Sequence, residues 1–410
     1  VGSHSWITVK DNVAQQLFNT GHYTEAAHIY NEILNSLGQK ISYERCITLG
    51  RLGRCFGVQG LIQKAVNYYQ QELTELDKLE QSNKVKSEKS KIYDDLANTQ
   101  TYIGCYEKAK QFYQQSLLLK KQIGDLRNIV ISEGQLGNLA LFQGFLAEAE
   151  QRYKTALGIF QNLKEPRSEA ITWHQLGRVY QTGKLWENAE YAYRQAAKID
   201  ETQGNLQSAS QTWNNLGIVT EKMGKWLEAE AWYRKAIEGK KITGDIVSLV
   251  KSIFNLANLL QNHHNRLSEA QQLVDQALAI DGLDPETSEI WKIYHILAQI
   301  SDKQGNTQEA RKNRHLSRES KANFAGTRYE LKQKYSQLIL AVARCENVET
   351  ALQRYGEGTE NLKTVIQQIL AGERDVEKLC EPLTFYDAPI ITAILEGIKN
   401  PESLKWFEEN

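Results

Sequence analysis

One alanine returns along this chain at a nearly fixed interval. It stands at Ala26, Ala65, Ala109, Ala149, Ala189, Ala229, Ala270 and Ala310, with separations of 39, 44, 40, 40, 40, 41 and 40 residues. Each copy carries the same neighbours. Around Gly144 they are Leu136-Gly137, Ala149, Tyr153 and Ala156-Leu157; around Gly224 they are Leu216-Gly217, Ala229, Tyr233 and Ala236-Ile237. A period of this length marks one supersecondary unit, and such a unit cannot bury its apolar face alone. The chain must therefore stack copies against one another, each touching only its neighbours.

The units read as helical hairpins. Only five prolines occur, and only Pro166 and Pro285 precede residue 380. Proline breaks helix interiors, so this scarcity permits long helices. Apolar residues recur at i, i+3, i+4 and i+7, the mark of a one-sided helical core face. A small residue in each first helix (Gly53, Ala97, Gly137, Gly177, Gly217, Ala257, Ala298) lets two helices approach closely. Large aromatics such as Tyr93, Trp173, Trp213 and Tyr294 stand four residues earlier and fill the space between hairpins. Glycines at 21, 60, 104, 144, 224 and 305 suit the left-handed residue that ends a helix. Near residue 184 that glycine falls one place early, at Gly183, and the seventh unit has an inserted residue at His263-His264-Asn265. The expected class is all-α, with about eight hairpins over 6–321, a helical capping or docking region over 322–410, and a cloning-tag remnant at 1–5.

These residues resemble the tetratricopeptide repeat, whose short form has 34 residues and usually a closing proline. Here the period is 40, and turns such as Gly124-Asp125, Gly204-Asn205 and Gly244-Asp245 replace the proline. That variant resembles the repeats of kinesin light chains and of Pins/LGN-type spindle-orientation adaptors. The resemblance covers residues 11 to about 320. It implies a right-handed α-α superhelix, a solenoid whose first helices line the concave side.

Two columns beside the small residue are not needed for packing. One residue after it stand Gln15, Arg54, Asn98, Asn138, Arg178, Ile218, Asn258 and Gln299; two before it stand Asn12, Arg51, Asp95, Gln135, Gln175, Asn215, Asn255 and Ile296. An amide offers both donor and acceptor and so can hold an extended backbone without reading its sequence. Guanidinium groups favour carboxylates. The candidate groove is therefore Arg51, Arg54, Asn98, Gln135, Asn138, His174, Gln175, Arg178, Asn214, Asn215, Asn255 and Asn258. The resemblance to the Pins/LGN-type adaptors implies backbone-holding asparagines at Asn98, Asn138, Asn215, Asn255 and Asn258. The plainer alternative is a solvated helical face, against which stands the absence of Lys and Glu from both columns.

Other chemistry finds little support. Lys and Arg number 49 against 50 Asp and Glu, without the basic excess usual in nucleic-acid binders. No apolar run is long enough to span a bilayer. Cys46, Cys55, Cys105, Cys345 and Cys380 are odd in number and never CxxC, which fits a reducing cytosol and no zinc site. His263-His264 lacks partners at ligand spacing. Gly50, Gly53 and Gly57 lack a GK[ST] ending, so they read as close packing. His174 and His295 on the inner face leave open a pH-sensitive groove, with ordinary polar contacts as the alternative. The expectation is a monomeric, cofactor-free and non-catalytic scaffold for a peptide or protein, extended or acidic, with neither nucleic acid nor membrane as partner.

In the eighth unit Arg314 takes the aromatic place and residues 311–321 are mostly polar, which reads as a solvated cap. An amphipathic helix then resumes through Tyr329, Leu331, Tyr335, Leu338, Ile339 and Val342. The passage Ile369-Leu370-Ala371-Gly372-Glu373-Arg374-Asp375, with Leu383 to Leu395, resembles a tail of bacterial, often cyanobacterial, tetratricopeptide proteins of the STAND signalling-ATPase type. That resemblance implies a second function: the ligand-sensing arm of a regulatory ATPase whose catalytic module lies outside these residues.

Overall fold

Left-handed residues divide the chain into paired helices. The computed structural model describes residues 2–284, 288–355, 360–383 and 386–408. Pro285, Thr384 and Phe385, the side chain of Tyr329, Val1 and the side chains at 2–5 lie outside the described residues. The pairs are α1 (Gly2–Asn19) with α2 (Tyr23–Leu37), α3 (Tyr43–Val58) with α4 (Ile62–Leu76), and α5 (Asn83–Tyr102) with α6 (Tyr106–Ile123). Then come α7 (Leu126–Phe142) with α8 (Leu146–Leu163), α9 (Pro166–Thr182) with α10 (Trp186–Thr202), and α11 (Leu206–Lys222) with α12 (Trp226–Thr243). The last are α13 (Ile246–His263) with α14 (Leu267–Leu278) and α15 (Ile290–Lys303) with α16 (Thr307–Asn323). No strand occurs among the described residues. None of the described helices is long and apolar enough to cross a membrane.

Turn chemistry follows the sequence pattern, with one refinement. Gly60, Gly104, Gly144 and Gly224 have φ of 76°, 77°, 79° and 75°. At the fifth hairpin Gly183 is an ordinary residue with φ of −77°, and Lys184 takes the left-handed place at φ 57°. The turn thus keeps its register although its glycine does not. Between hairpins, Gly124, Gly204 and Gly244 are left-handed. The following Asp125, Asn205 and Asp245 accept from the backbone N–H of Asn128, Ser208 and Ser248. Such caps contribute about 1 kcal/mol each. Pro166 opens α9 instead, where a missing N–H costs nothing.

In most hairpins the small residue of the first helix is a seat for a ring; Val274 and Arg314 stand at the ring's place in the seventh and eighth. Tyr69, Tyr153, Tyr193 and Tyr233 are buried. A Cβ added at Gly53, Gly177 or Gly217 would lie 2.5, 2.6 and 2.4 Å from the facing tyrosine ring, and at Gly137 3.1 Å. Ala97 fills the same place under Tyr113. Gly50, in the same stretch as Gly53, leaves room for the buried carboxyl of Glu72. The glycines around residue 53 are therefore packing devices.

The chain divides into two compact units, Val1–Ile199 and Asp200–Asn410. In the first, α2 meets α3, α4 meets α5, α6 meets α7 and α8 meets α9. In the second, α12 meets α13 and α14 meets α15, around Leu249, Ile253, Leu256, Val274 and Ile293.

The second unit also holds the tail. It comprises α17 (Ala325–Glu330), a π turn at Leu331–Tyr335, α18 (Ser336–Arg344), α19 (Val348–Tyr355), α20 (Glu360–Leu370), α21 (Val376–Cys380) and α22 (Ala388–Lys399). Leu338, Ile339, Val342, Ile366, Ile369, Ile391 and Ile394 form its core. The polar run 311–321 is only in part the solvated face expected of it: Arg311, Lys312, His315 and Glu319 are exposed. Asn313, Ser317 and Lys321 are buried. The hydroxyl of Ser317 donates to the Trp291 carbonyl at 2.8 Å. Lys321 Nζ lies 4.3 Å from the Trp291 ring centre and 4.7 Å from that of Tyr386. His315 meets Glu377 at 2.6 Å, Arg318 pairs with the same carboxylate, and α22 packs on α16. Polar groups there hold the tail, which is why they look like surface in the sequence.

Gly217→Ala is expected to destabilise the protein by about 1–2 kcal/mol, because overpacking a ring costs roughly 1–3 kcal/mol and outweighs the roughly 1 kcal/mol gain in helix propensity. Gly137→Ala, with more room, should be neutral or stabilising. Urea unfolding of the two variants checks the order; equal effects would contradict the ring-seat account.

Candidate functional site

The columns predicted from sequence do line the first helices, but packing already claims part of each side chain. Tyr113 donates its hydroxyl to Asn98 Oδ1 at 2.6 Å, and Tyr153 to Asn138 Oδ1 at 2.7 Å. Burial raises both phenols, Tyr113 to about 12, so they remain protonated donors. Where the column carries Arg178 or Ile218, the equivalent Tyr193 and Tyr233 donate to Gln181 and Glu221, each at 2.8 Å. The ring hydroxyl thus fixes the asparagine oxygen, and Nδ2 is the end of the amide not committed to the tyrosine. Asn138 Nδ2 also leans on Gln135 Oε1 at 3.4 Å. The amide nitrogens of Asn98, Gln135 and Gln175 make no hydrogen bond among the described residues.

The arginines are not open to solvent in the way the sequence suggests. Arg51 pairs with Asp11, and Arg54 Nε meets Asp95 Oδ2 at 2.7 Å. Arg178 Nη1 donates to Gln175 Oε1 at 2.9 Å. Their carboxylate preference is met largely within the chain. His174 stands edge-on to Tyr193 at 5.3 Å, and burial, aided by Arg178, pushes its imidazole down to about 4. It is neutral across the physiological range and gives the groove no switch there. Burial lowers His295 as well, and Gln299 lies 3.0 Å away.

In the second unit Asn214 is the hub of a polar cluster. Its Oδ1 accepts from Ser252 at 2.8 Å and from Asn255 Nδ2 at 3.1 Å. Ser252 in turn accepts from the buried Lys240 at 2.6 Å. The first unit carries the same device with a different charge: Lys120 donates to Ser132 at 2.7 Å and pairs with Asp94 Oδ2 at 2.5 Å. Lys240 lacks that carboxylate, and burial lowers it to about 8, helped by the nearby Lys251 and opposed by the weaker pull of Asp245. Asn214 and Asn255 therefore serve packing first. Asn258 accepts from Asn262 at 3.0 Å, and Asn215 is half-buried beside them.

Two hollows gather the remaining candidates of the first unit. Arg54, Asp95 and Asn98 line one of about 500 Å3, with Phe18, Tyr69 and Tyr102. Gln135, Asn138 and Gln175 line a smaller one of about 210 Å3, over Tyr153 and Phe160. The sequence reading missed its rim, Ile131 and Ile171, and the open place left by Gly134. The signal was available, since Ile131 and Ile171 are 40 residues apart in one column. Among the described residues no group of three or more His, Cys, Asp or Glu is placed to hold a metal.

With this geometry in view, comparison with known proteins is informative about fold. Residues 128–202 and 208–282 match the tetratricopeptide repeat family model. Over those two stretches the chain consists of tetratricopeptide repeats. Among solved structures it is similar to a signal-transduction ATPase with numerous domains, carrying a tetratricopeptide sensor, from Pyrococcus horikoshii: 14% identity, TM-score 0.58, covering 76% of this chain and 46% of that one. It is also similar to RapI in its apo form, at 13% identity and TM-score 0.51 over 68% and 98% of the two chains. Aspartyl phosphate phosphatase F from Bacillus subtilis gives 13% identity and TM-score 0.50 over 77% and 93%. At these identities the likeness is one of fold. No curated protein sequence matches the chain.

Lys240 sets a pH dependence. Its folded pKa of about 8 lies below the ordinary 10.5, so between these values the unfolded chain binds more protons. Stability should therefore rise with pH from about 8 to about 10.5, by on the order of a few kcal/mol, and be flat below. Asn214→Asp, which copies Asp94 beside Lys120, should raise stability at pH 7 by about 1–3 kcal/mol and flatten that rise. Urea unfolding across pH checks both; an unchanged slope in the variant would contradict the assignment to Lys240.

Proposed function

We propose that the chain is a non-catalytic scaffold that grips an extended peptide or protein element along its first helices. The observation that carries this reading is the locked amide. At Asn98 and Asn138 a buried tyrosine holds the amide oxygen and so fixes the rotamer, and little rotamer entropy is lost when a ligand carbonyl arrives at Nδ2. Such donors suit backbone oxygens at intervals along an extended strand. An acidic ligand is less favoured than the arginines first suggest, because Arg51 and Arg54 already face Asp11 and Asp95. The five free cysteines fit a reducing compartment such as the cytosol.

A second reading, the sensing arm of a STAND-type ATPase, draws on the tail. The Glu377 contacts to His315 and Arg318 join the tail to the last hairpin, where a conformational signal would pass. The coding sequence around this one separates the two readings: an adjoining ATPase module favours the sensor.

Peptides selected from a random twelve-residue display library supply the ligand for a direct test. Asn98→Ala with Asn138→Ala should weaken their binding by roughly 10-fold or more, at about 1 kcal/mol per lost hydrogen bond. Circular dichroism should show helix content unchanged. Titration calorimetry reads the affinity, and undiminished binding by the double variant would end the amide reading.

A further inference from the structure

Gly134 is a glycine that nothing in the fold requires. It lies in the interior of α7, has no left-handed φ, and a Cβ built on it meets no atom within 4 Å. A glycine at such a place costs about 1 kcal/mol relative to alanine. The same column holds Asp94, His174, Asn214, Phe254 and His295 in other hairpins, and a second glycine, Gly50, only where the Glu72 carboxyl occupies the space a Cβ would take. Its absence opens the hollow between α7 and α9.

The chemistry of that hollow is specific. Its floor is Tyr153 and Phe160, both buried, and its rim is Ile131 and Ile171, which are 42% and 53% exposed. In the neighbouring hairpins of this column stand Lys91 and Gln211, so the exposed apolar pair is confined to the two helices that flank the hollow. None of the residues lining it is charged. Gln135, Asn138 and Gln175 line it as well; the oxygens of Gln135 and Gln175 accept from Asn138 and Arg178, and their amide nitrogens make no hydrogen bond among the described residues. Its volume of about 210 Å3 is below the roughly 300–1,000 Å3 of small-molecule and cofactor sites. It has room for one side chain.

We propose that this hollow is a specificity pocket that takes a single uncharged apolar side chain of the bound segment, leucine-sized or aromatic, while Gln135, Asn138 and Gln175 hold the backbone on either side of it. The proposal rests on the scaffold reading and adds what that reading lacks, a means of choosing among extended segments. The neutral lining would leave a charged side chain desolvated and unpaired, which costs several kcal/mol and excludes it. Exposed Ile131 and Ile171 would close over the inserted group.

The test uses the random twelve-residue display library on the whole chain and on Gly134→Phe, whose ring fills the hollow. Gly134→Ala serves as the fold control, since it adds only a methyl and is expected to stabilise α7. Peptides selected on the parent should share one apolar residue at a fixed position. Replacing that residue by aspartate, or binding to Gly134→Phe, should lower affinity at least 10-fold, while circular dichroism shows Gly134→Phe and Gly134→Ala both folded. A photo-crosslinker at the shared position should label α7 or α9. Selected peptides without a shared apolar residue, or equal affinity for Gly134→Phe, overturn the pocket. If binding also survives Asn98→Ala with Asn138→Ala, the scaffold reading falls with it. If that double variant binds weakly while Gly134→Phe binds normally, only the pocket is wrong.

Discussion

A tyrosine ring lying on a helix that has at most a methyl group beneath it is the contact on which most of the hairpins depend. Dispersion and burial of one such ring are worth roughly 1.5–3 kcal/mol, and the ring reaches its place only because Gly53, Gly177 or Gly217 lets the second helix come close. The geometry constrains both helices at once. The small residue must stand in the first and the tyrosine sixteen places later, and the turn between them cannot change length without moving the ring off its seat. The fifth hairpin shows how strict this is. Its glycine has slipped to 183, and Lys184 adopts the left-handed conformation so that Tyr193 still lands on Gly177.

The same ring shapes the candidate binding face. Its hydroxyl emerges on the far side of the first helix and needs an acceptor there. Asn98 and Asn138 supply one and become oriented donors; Gln181 and Glu221 supply it in the next two hairpins and leave Arg178 and Ile218 to other tasks. Packing and recognition are therefore not separate layers. A residue that looks like a free amide in the sequence has one end committed to the core, and the commitment is what makes its other end directional.

Much of this could be read from the sequence, and the limits have physical causes. Helix pairing and most turn positions followed from periodicity because each is a local constraint repeated from hairpin to hairpin; the seating of Tyr153 or Tyr233 on a glycine sixteen places earlier did not, because it joins two columns. The pairing of the arginines did not, although its signal was present. Side chains one repeat apart face each other across adjacent first helices: Arg51 with Asp11, Arg54 with Asp95, Asn255 with Asn214. The columns were scanned as properties of single hairpins, whereas their chemistry belongs to neighbouring pairs. The tail was legible only as amphipathic helix. Lys321 lies against Tyr386 of the tail, and Arg318 pairs with Glu377, and no repeat announces a contact made once.

That contrast indicates where specificity can reside in such a chain. Positions fixed by the ring and its seat cannot vary without cost, so they carry no information about a ligand. Positions whose neighbours one repeat away satisfy them, such as Arg54 beside Asp95, are also largely spent. What remains is the place where a column departs from its own rule without a packing reason. Lys240 without its carboxylate is one departure, but it is buried and speaks only to stability. Gly134 is the other, and it opens outward beside oriented amides. In a molecule built by repetition, an unexplained and accessible exception is the strongest indication that something other than folding has chosen the residue.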